Sequence, residues 1–200
     1  MKTLCTASDP ATPPLRGNRG FTLVELVIVL TVMSVFLSMA MPHLQQRPSL
    51  QVHGVARMLG AHLELARANA LGQRFETRIV FDESDDSYTA YVDHDRDGNF
   101  TLSQTERAAF PAFGVRELEG LVLFGRGDAS KIPGDAAEGA VTLTGGVLDM
   151  NTQGIPEPRG TMGTVYLVHR DDPTAVSAVS ISSSGSFQSW RWSEGEGVWK

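Results

Sequence analysis

The sequence predicts an α+β protein in which a long N-terminal helix, transmembrane in its first half, packs on an antiparallel β-sheet or sandwich domain. Three observations predict this fold. Residues 21–41 are uncharged apart from one carboxylate, and residues 42–73 repeat apolar side chains at helical spacing. Residues 74–200 change to the alternating pattern of strands. A short polar leader, residues 1–20, precedes them all.

The segment 21–41 is long enough to cross a bilayer as a helix. At about 1.5 Å of rise per residue, its 21 residues reach roughly 30 Å, the thickness of one hydrocarbon core. A buried helix of a soluble protein is the alternative, but its apolar residues would follow one stripe rather than every face. Lys2, Arg16 and Arg19 precede the segment, and only Arg47 closely follows it. The positive-inside rule therefore predicts a single pass through a membrane, with a cytoplasmic N-terminus and the C-terminal domain on the opposite side.

Helical spacing continues beyond Pro42, a residue that kinks or ends a helix because it lacks a backbone donor. We predict a kink there and an amphipathic helix over residues 42–73. Its apolar positions recur at steps of two to four: Leu50, Val52, Val55, Leu59, Leu63, Ala66 and Ala70. Polar residues such as Arg57 and Glu64 fall mostly elsewhere, so one face of this helix is expected to pack on the domain.

Alternation with a period of two predicts strands within residues 74–200. Residues 75–82 and 87–93 flank an acidic tetrapeptide and indicate a β-hairpin. Further strand candidates are residues 115–125, 141–143, 147–150, 163–169, 175–182 and 186–192. Residues 126–139, rich in Gly, Asp and Ala, indicate a surface loop. Short strands with such turns favour antiparallel sheets packed face to face.

The hexapeptide Gly20-Phe21-Thr22-Leu23-Val24-Glu25 lies at the junction between the polar leader and the apolar segment. A secretory signal places its apolar core before the cleavage site, which is the reverse of this order. The hexapeptide resembles the processing motif of type IV prepilins and of the pseudopilins of type II secretion. The resemblance implies that a membrane-embedded prepilin peptidase and methyltransferase cuts after Gly20, removes residues 1–20 and methylates the new amine of Phe21.

A carboxylate inside a membrane helix needs a compensating charge, because its insertion costs about 2.5 to 3.5 kcal/mol at the centre and less toward the edge. Glu25 and a protonated N-terminal amine can neutralise each other. When the amine belongs to a neighbouring subunit, the pair also fixes axial register in a filament. The resemblance therefore implies that Phe21 and Glu25 mediate assembly. The alternative is that Glu25 is an accidental polar residue near the membrane edge.

The second half of the chain extends the resemblance. Residues 148–156, 163–167 and 178–185 resemble, in order and character, the closing strands of H-type pseudopilins, and residues 63–70 resemble the end of their helix. The family has a pilin-like fold. The resemblance implies a minor pseudopilin, a structural subunit that joins other pseudopilins in a periplasmic type II secretion filament exporting folded proteins. The alternatives are a minor pilin of a type IV pilus, serving assembly, adhesion or DNA uptake, and a membrane-anchored domain that never assembles.

One constellation of carboxylates could bind a metal ion. Asp93, Asp95 and Asp97 alternate before a glycine, as the oxygen ligands of calcium loops do. An EF-hand loop closes with a glutamate at its twelfth position, which is Gln104 here, and Glu106 follows two residues later. Two interpretations are open. Calcium, the one possible cofactor, could bind weakly at Asp93, Asp95, Asp97 and Glu106. The displaced closing ligand instead favours no cofactor and a solvated acidic turn that caps its own backbone.

The sequence does not show the patterns of an enzyme. Its five histidines have no short metal-ligand spacing. The serine-rich residues 182–186 do not form the Gly-x-Ser-x-Gly pattern of a nucleophile elbow, and no phosphate-binding glycine loop occurs. We therefore expect a structural subunit with no catalytic residues.

Nucleic-acid binding is the main rival function, because some minor pilins with this domain bind DNA. Arg191 lies between Trp190 and Trp192, and Lys200 follows Trp199, so stacking and cationic groups occur together. Removal of residues 1–20 takes away three basic residues and one acidic residue, which moves the formal net charge from −6 to −8. An acidic domain repels phosphate, so we expect no nucleic-acid partner. The tryptophans are expected in the core or at a subunit interface.

Overall fold

A computed structural model describes residues 21–40, 47–100, 116–118, 120–135 and 137–200 of the chain. The chain forms two compact units, Met1–Gln45 and Gln46–Lys200. The leader, residues 1–20, and the predicted kink at Pro42 lie outside the described residues.

The first unit contains helix α1, Leu23–Ala40, which lies within the apolar segment 21–41. Large apolar side chains of this helix, from Leu23 to Leu37, are between 47% and 79% exposed. No described helix combines the length and the apolar character that crossing a membrane takes.

The second unit begins with helix α2, Pro48–Gln73, inside the predicted amphipathic stretch 42–73. Pro48 stands in the first turn, where its missing backbone donor removes no helical hydrogen bond. The buried face comprises Val52, Val55, Ala56, Leu59, Gly60, Leu63, Ala66 and Ala70. The predicted periodicity is confirmed except at Leu50, which is 56% exposed. Leu50 lies two residues before Val52, about 200° of helical rotation away, so it faces outward.

Within the described residues, ten strands form two five-stranded sheets. In chain order they are β1 Thr77–Asp82, β2 Ser87–Val92, β3 Arg116–Glu117, β4 Val122–Phe124, β5 Val147–Met150, β6 Pro156–Glu157, β7 Gly163–His169, β8 Asp172–Ile181, β9 Phe187–Ser193 and β10 Val198–Trp199. The first sheet has the order β3-β2-β1-β5-β6, and the second has the order β10-β9-β8-β7-β4. The paired strands are antiparallel. The predicted α+β class is confirmed.

Most strand predictions are confirmed. The exceptions follow from how the strands pair and from how short some of them are. The hairpin of β1 and β2 pairs along its full length of six residues. The candidate at residues 115–125 is two strands, because a turn at Gly120 and the residue after it lets β3 pair in the first sheet and β4 in the second. The candidate at residues 141–143 is an isolated bridge between Val141 and Val165. Strands β6 and β10, two residues each, are too short to show alternation.

One hydrophobic core joins α2 to both sheets. Helix α2 packs mainly on β8, β9 and β7. Fully buried side chains in this core include Leu59 and Leu63 of α2, Ile79 and Leu148 of the first sheet, and Leu167 of the second. Because burial of apolar surface is the dominant favourable contribution to folding, α2 is an integral part of the domain.

The predicted surface loop, residues 126–139, has neither helix nor strand in its described part, but it is not wholly exposed. Ala129 and Ile132 are only 6% and 5% exposed. Ile132 forms a second apolar cluster with Tyr166, Ala178, Trp190 and Trp199. Tyr166 and Ala178 alternate along their strands with residues of the main core, so this loop covers the opposite face of the second sheet.

Candidate functional site

The residues that the motif implies in assembly lie at the start of α1. Phe21 precedes the helix, and its side chain is 77% exposed. Thr22 caps the helix, because its hydroxyl accepts a hydrogen bond from the backbone N–H of Glu25 at 3.2 Å. The carbonyl of Thr22 accepts the first helical hydrogen bond, from the N–H of Leu26, at 3.1 Å. Glu25 therefore lies in the first turn, whereas the predicted processing residue Gly20 lies outside the described residues.

The cap at Thr22 was missed by reasoning from the sequence, although its signal is present. Thr22 and Glu25 have the Thr-x-x-Glu spacing of a capping box before an apolar run. A capping box has two reciprocal hydrogen bonds, and here the bond donated to the Thr22 hydroxyl is formed. Within the described part of the chain, the carboxylate of Glu25 has no hydrogen bond or ion pair.

The hydroxyl groups of α1 are satisfied within the helix itself. Thr31 donates a hydrogen bond to the carbonyl of Ile28 at 2.8 Å. Ser34 and Ser38 donate to carbonyls three residues earlier, each also at 2.8 Å. Side chains bonded in this way lose no partner when the helix enters apolar surroundings. Unlike these hydroxyl groups, the carboxylate of Glu25 has no partner within the helix.

The predicted calcium residues Asp93, Asp95 and Asp97 follow strand β2. Each carboxylate can place one oxygen so that the three oxygens lie within 4.8 Å of one another. Ligand oxygens at about 2.3 to 2.6 Å from one calcium ion lie no more than about 5 Å apart, so the three carboxylates fit around one ion. Glu106, the predicted closing ligand, lies outside the described residues.

Backbone N–H groups already bind these carboxylates. Asp93, which is 3% exposed, accepts hydrogen bonds from Asp97 at 3.2 Å and from Gly98 at 3.0 Å. Asp97 accepts a hydrogen bond from the backbone N–H of Asn99 at 2.7 Å. This bond is the main reason that the pKa of Asp97 lies below its ordinary value. The alternative of an acidic turn that caps its own backbone therefore has direct support. Calcium binding stays a prediction.

Two contacts between a guanidinium and an aromatic ring attach the acidic loop to the domain. The guanidinium of Arg96 lies 5.2 Å from the ring centre of Phe75, and that of Arg78 lies 4.4 Å from the ring centre of Phe100. Arg78 also donates two hydrogen bonds to Asp149 on β5, at 2.6 and 2.8 Å. The two ring contacts hold the loop against Phe75 and Arg78, and the ion pair with Asp149 fixes Arg78 in turn.

The tryptophans of the predicted stacking cluster pack on the second sheet. The ring centres of Trp192 and Trp199 are 5.3 Å apart, and Tyr166 lies 5.8 Å from Trp199. The indole N–H of Trp199 donates to the carbonyl of Ser130 at 2.9 Å, and that of Trp190 donates to a serine hydroxyl of β8. Burial raises the pKa of Tyr166 to about 12. These rings are held by contacts within the domain, as expected for a packing role.

Arg191 lies on the other face of the second sheet. The Ser189 hydroxyl is 3.3 Å from the position that a β-carbon would take at Gly60 of α2. Residues two apart in a strand share a face, so Arg191 also faces α2. His53 of α2 has a lowered pKa there. Burial is the main cause, and the positive charges of Arg191 and Arg57 add to it. The interpretation of Arg191 and the tryptophans as one stacking and cationic cluster is therefore wrong, because strand alternation separates them.

Residues 15–41 match the family model described as the prokaryotic N-terminal methylation motif. The chain has a prepilin-type N-terminus. The match includes Gly20, Phe21 and Glu25 and extends through α1, so the resemblance at the N-terminus is confirmed.

A crystal structure of the type IV minor pilin FimU from Pseudomonas aeruginosa aligns with this chain at a TM-score of 0.42 and 18% sequence identity, covering 68% of this chain and 86% of that one. No curated protein sequence matches the chain.

Proposed function

We propose that this protein is a minor pseudopilin, a structural subunit of a periplasmic type II secretion filament that exports folded proteins. One observation carries the proposal: the methylation motif at residues 15–41 ends in a helix whose large apolar side chains are exposed along its length. A helix with such a surface requires apolar surroundings. The inner membrane supplies them before assembly, and the packed helices of neighbouring subunits supply them in the filament.

Processing precedes assembly in this proposal. A prepilin peptidase cuts between Gly20 and Phe21, and the leader with Lys2, Arg16 and Arg19 stays on the cytoplasmic side. Phe21 lies before the first residue of α1, so the new N-terminal amine lies outside the helix. The peptidase methylates this amine, which stays basic and keeps its positive charge.

Glu25 receives the amine of a neighbouring subunit. Its carboxylate has no partner within the described chain, and a carboxylate in apolar surroundings is costly unless it is paired. Pairing of Glu25 with the Phe21 amine of the next subunit neutralises both charges and sets the axial step of the filament. The domain Gln46–Lys200 lies in the periplasm, where it meets other pseudopilins.

A deletion strain tests the proposal against its alternatives. The strain and its parent are compared for protein in the culture medium, twitching motility and DNA uptake in the same cultures. The proposal expects lost secretion with normal motility and uptake. Intact secretion with lost motility or transformation would overturn it in favour of a minor pilin of a type IV pilus.

Two glycine variants test the processing step. Gly20→Ala is expected to block cleavage, so that mass spectrometry finds the full-length chain and secretion fails in the complemented strain. Gly17→Ala changes the same residue type within the leader and is expected to be cleaved normally. An uncut N-terminus in the unaltered protein would contradict the proposal and support a membrane-anchored domain that never assembles.

A further inference from the structure

A cavity of about 400 Å³ opens on the second sheet, on the face that the loop 126–139 covers. Residues 132–135 of this loop line the cavity, together with Ser180 on β8 and Trp190 on β9. Met162, which is 66% exposed, also lines it. The cavity has the size of an ordinary ligand pocket, and the proposed function makes no use of it.

Hydrogen bonds fix the aromatic groups around the cavity. The indole N–H of Trp190 donates to the Ser180 hydroxyl at 2.8 Å. The hydroxyl of Tyr166 accepts a hydrogen bond from the backbone N–H of Ile132 at 3.0 Å. It donates its own proton to the carboxylate of Asp135 at 2.9 Å. Because the N–H of Trp190 is used within the domain, its ring meets a ligand through its π-system and its apolar surface.

Asp135 is the charged residue among the described residues that line the cavity, and it is half-buried. One carboxylate oxygen accepts the hydrogen bond from Tyr166, and the other accepts one from the backbone N–H of Ala137 at 3.2 Å. Both donors are neutral, and each oxygen keeps a further lone pair. Within the described part of the chain, Asp135 has no ion pair. The cavity therefore presents a negative charge that lacks a cationic partner there.

This combination of groups selects a cation on an alkyl stem. A carboxylate binds an ammonium or guanidinium group strongly and repels an anion. Trp is the aromatic ring that binds cations best, at distances up to about 6 Å from the ring centre. The apolar side chains of Ile132 and Met162 suit the methylene stems of lysine and arginine, which pack along apolar surfaces. The formal net charge of −8 after removal of residues 1–20 attracts a cation from a distance as well.

We propose that this cavity is a docking site for a lysine or arginine side chain of a partner protein, whose charged end meets Asp135 and Trp190. A protein is favoured over a free amine, because one carboxylate and one ring give a small amine little affinity without further contacts around the cavity. The inference goes beyond the proposed function. It concerns the domain alone and applies equally in a secretion filament and in a pilus.

Two matched probes test the chemistry of the cavity in the unaltered full chain in detergent. Nα-acetyl-lysine methylamide carries the ammonium group, and Nα-acetyl-norleucine methylamide has a similar stem without the charge. The NMR signal of the Trp190 indole N–H, assigned by its loss in Trp190→Phe, reports binding. The lysine probe is expected to shift this signal and to bind about fivefold more tightly than the norleucine probe. Equal binding of the two probes would overturn the proposal.

Two aspartate variants of the loop test the role of the carboxylate. Asp135→Asn removes the charge and keeps the shape of the side chain. The control Asp128→Asn removes the same charge from an exposed position of the loop outside the cavity. Asp135→Asn is expected to weaken binding of the lysine probe about fivefold, and Asp128→Asn to leave it unchanged. The unfolding midpoint verifies that both variants fold, and an equal loss in both would refute a specific role of the cavity.

Photo-cross-linking in the native host separates a protein partner from a free amine. A photoreactive benzoylphenylalanine replaces Met162 or, in a second variant, Ala137, and mass spectrometry identifies the linked peptides. The proposal expects a peptide with a lysine or arginine at or beside the linked residue. Its yield is expected to fall about fivefold with Asp135→Asn and to stay unchanged with Asp128→Asn.

Three results of the cross-linking would overturn the proposal. The first is a linked peptide without a basic residue, and the second is a yield that Asp135→Asn does not change. The third is no linked protein from either position although the lysine probe binds, which would identify a small free amine as the ligand. These results leave the proposed function standing, because the deletion strain tests it separately.

Discussion

The two helices have opposite surfaces. Helix α2 buries a stripe of eight residues against the sheets and places residues such as Arg57 and Glu64 on its exposed side. Helix α1 exposes its large apolar side chains, with fractions of 47% to 79%, and keeps one carboxylate without a partner in the described chain. Within the described chain, the sheets therefore cover the apolar face of α2, whereas the apolar side chains of α1 stay exposed.

Matched leucine substitutions in the two helices are expected to show the largest difference in the free energy of unfolding. Leu59 of α2 is fully buried, and Leu59→Ala is expected to lower the free energy of unfolding of the domain by about 2 to 5 kcal/mol. Leu30 of α1 is 58% exposed, and Leu30→Ala is expected to leave it unchanged. Denaturant unfolding of the full chain in detergent, followed by circular dichroism, measures both. An equal loss in the two variants would show that α1 also stabilises the domain.

The next test asks whether a bound calcium ion stabilises the domain. If Asp93, Asp95 and Asp97 bind the ion, calcium at a hundred times its dissociation constant raises the free energy of unfolding by about 2.7 kcal/mol. Asp95→Asn is expected to remove most of this gain, and the control Asp171→Asn, outside the loop, to keep it. Unfolding midpoints with calcium and with a chelator give the answer. Identical midpoints would leave the acidic turn, capped by its own backbone, as the explanation.

The ion pair of Arg78 and Asp149 is expected to give a smaller effect. Both side chains are about one-third exposed, at 35% and 32%, so solvent screens the pair. A double-mutant cycle with Arg78→Met and Asp149→Asn is expected to give a coupling of about 1 kcal/mol that decreases with salt. The more exposed pair of Lys200 and Glu196 serves as the control and is expected to couple less. A coupling no larger than in the control would show that the pair does not stabilise the sheet.

The protonation of His53 is expected to have the smallest effect on stability. This effect concerns α2 alone, because α1 has no histidine. Burial, Arg191 and Arg57 lower the pKa of His53 in the folded state from its ordinary 6.5. The unfolded chain therefore binds more protons below about pH 6.5, so stability decreases as the pH falls through that value toward the lowered pKa. The unfolding midpoint is expected to drop more between pH 7.5 and 5.5 in the unaltered protein than in His53→Gln. An equal drop in both would exclude His53 as a cause.

Local patterns made much of the fold predictable. The hairpin of β1 and β2 follows from alternation around an acidic turn, and the face of α2 follows from helical spacing. The cap at Thr22 and the separation of Arg191 from the tryptophans could also have been predicted. The first has a capping-box spacing, and the second follows from strand alternation.

Long-range pairing was not predictable. Arg78 meets Asp149 across 71 positions of sequence, because β1 pairs with β5 and not only with its hairpin partner. The split of residues 115–125 between the two sheets depends on which neighbours each strand finds after the turn at Gly120. Both depend on the register of the assembled sheets, which spacing along one strand does not determine.

The three tryptophans, Trp190, Trp192 and Trp199, give the domain an optical signal that α1 lacks. They are the only tryptophans of the chain, and all of them lie in the second sheet and its cluster. Tryptophan fluorescence therefore reports the state of the domain. A variant of α1 such as Leu30→Ala can be checked in this way, without a label, for an intact domain.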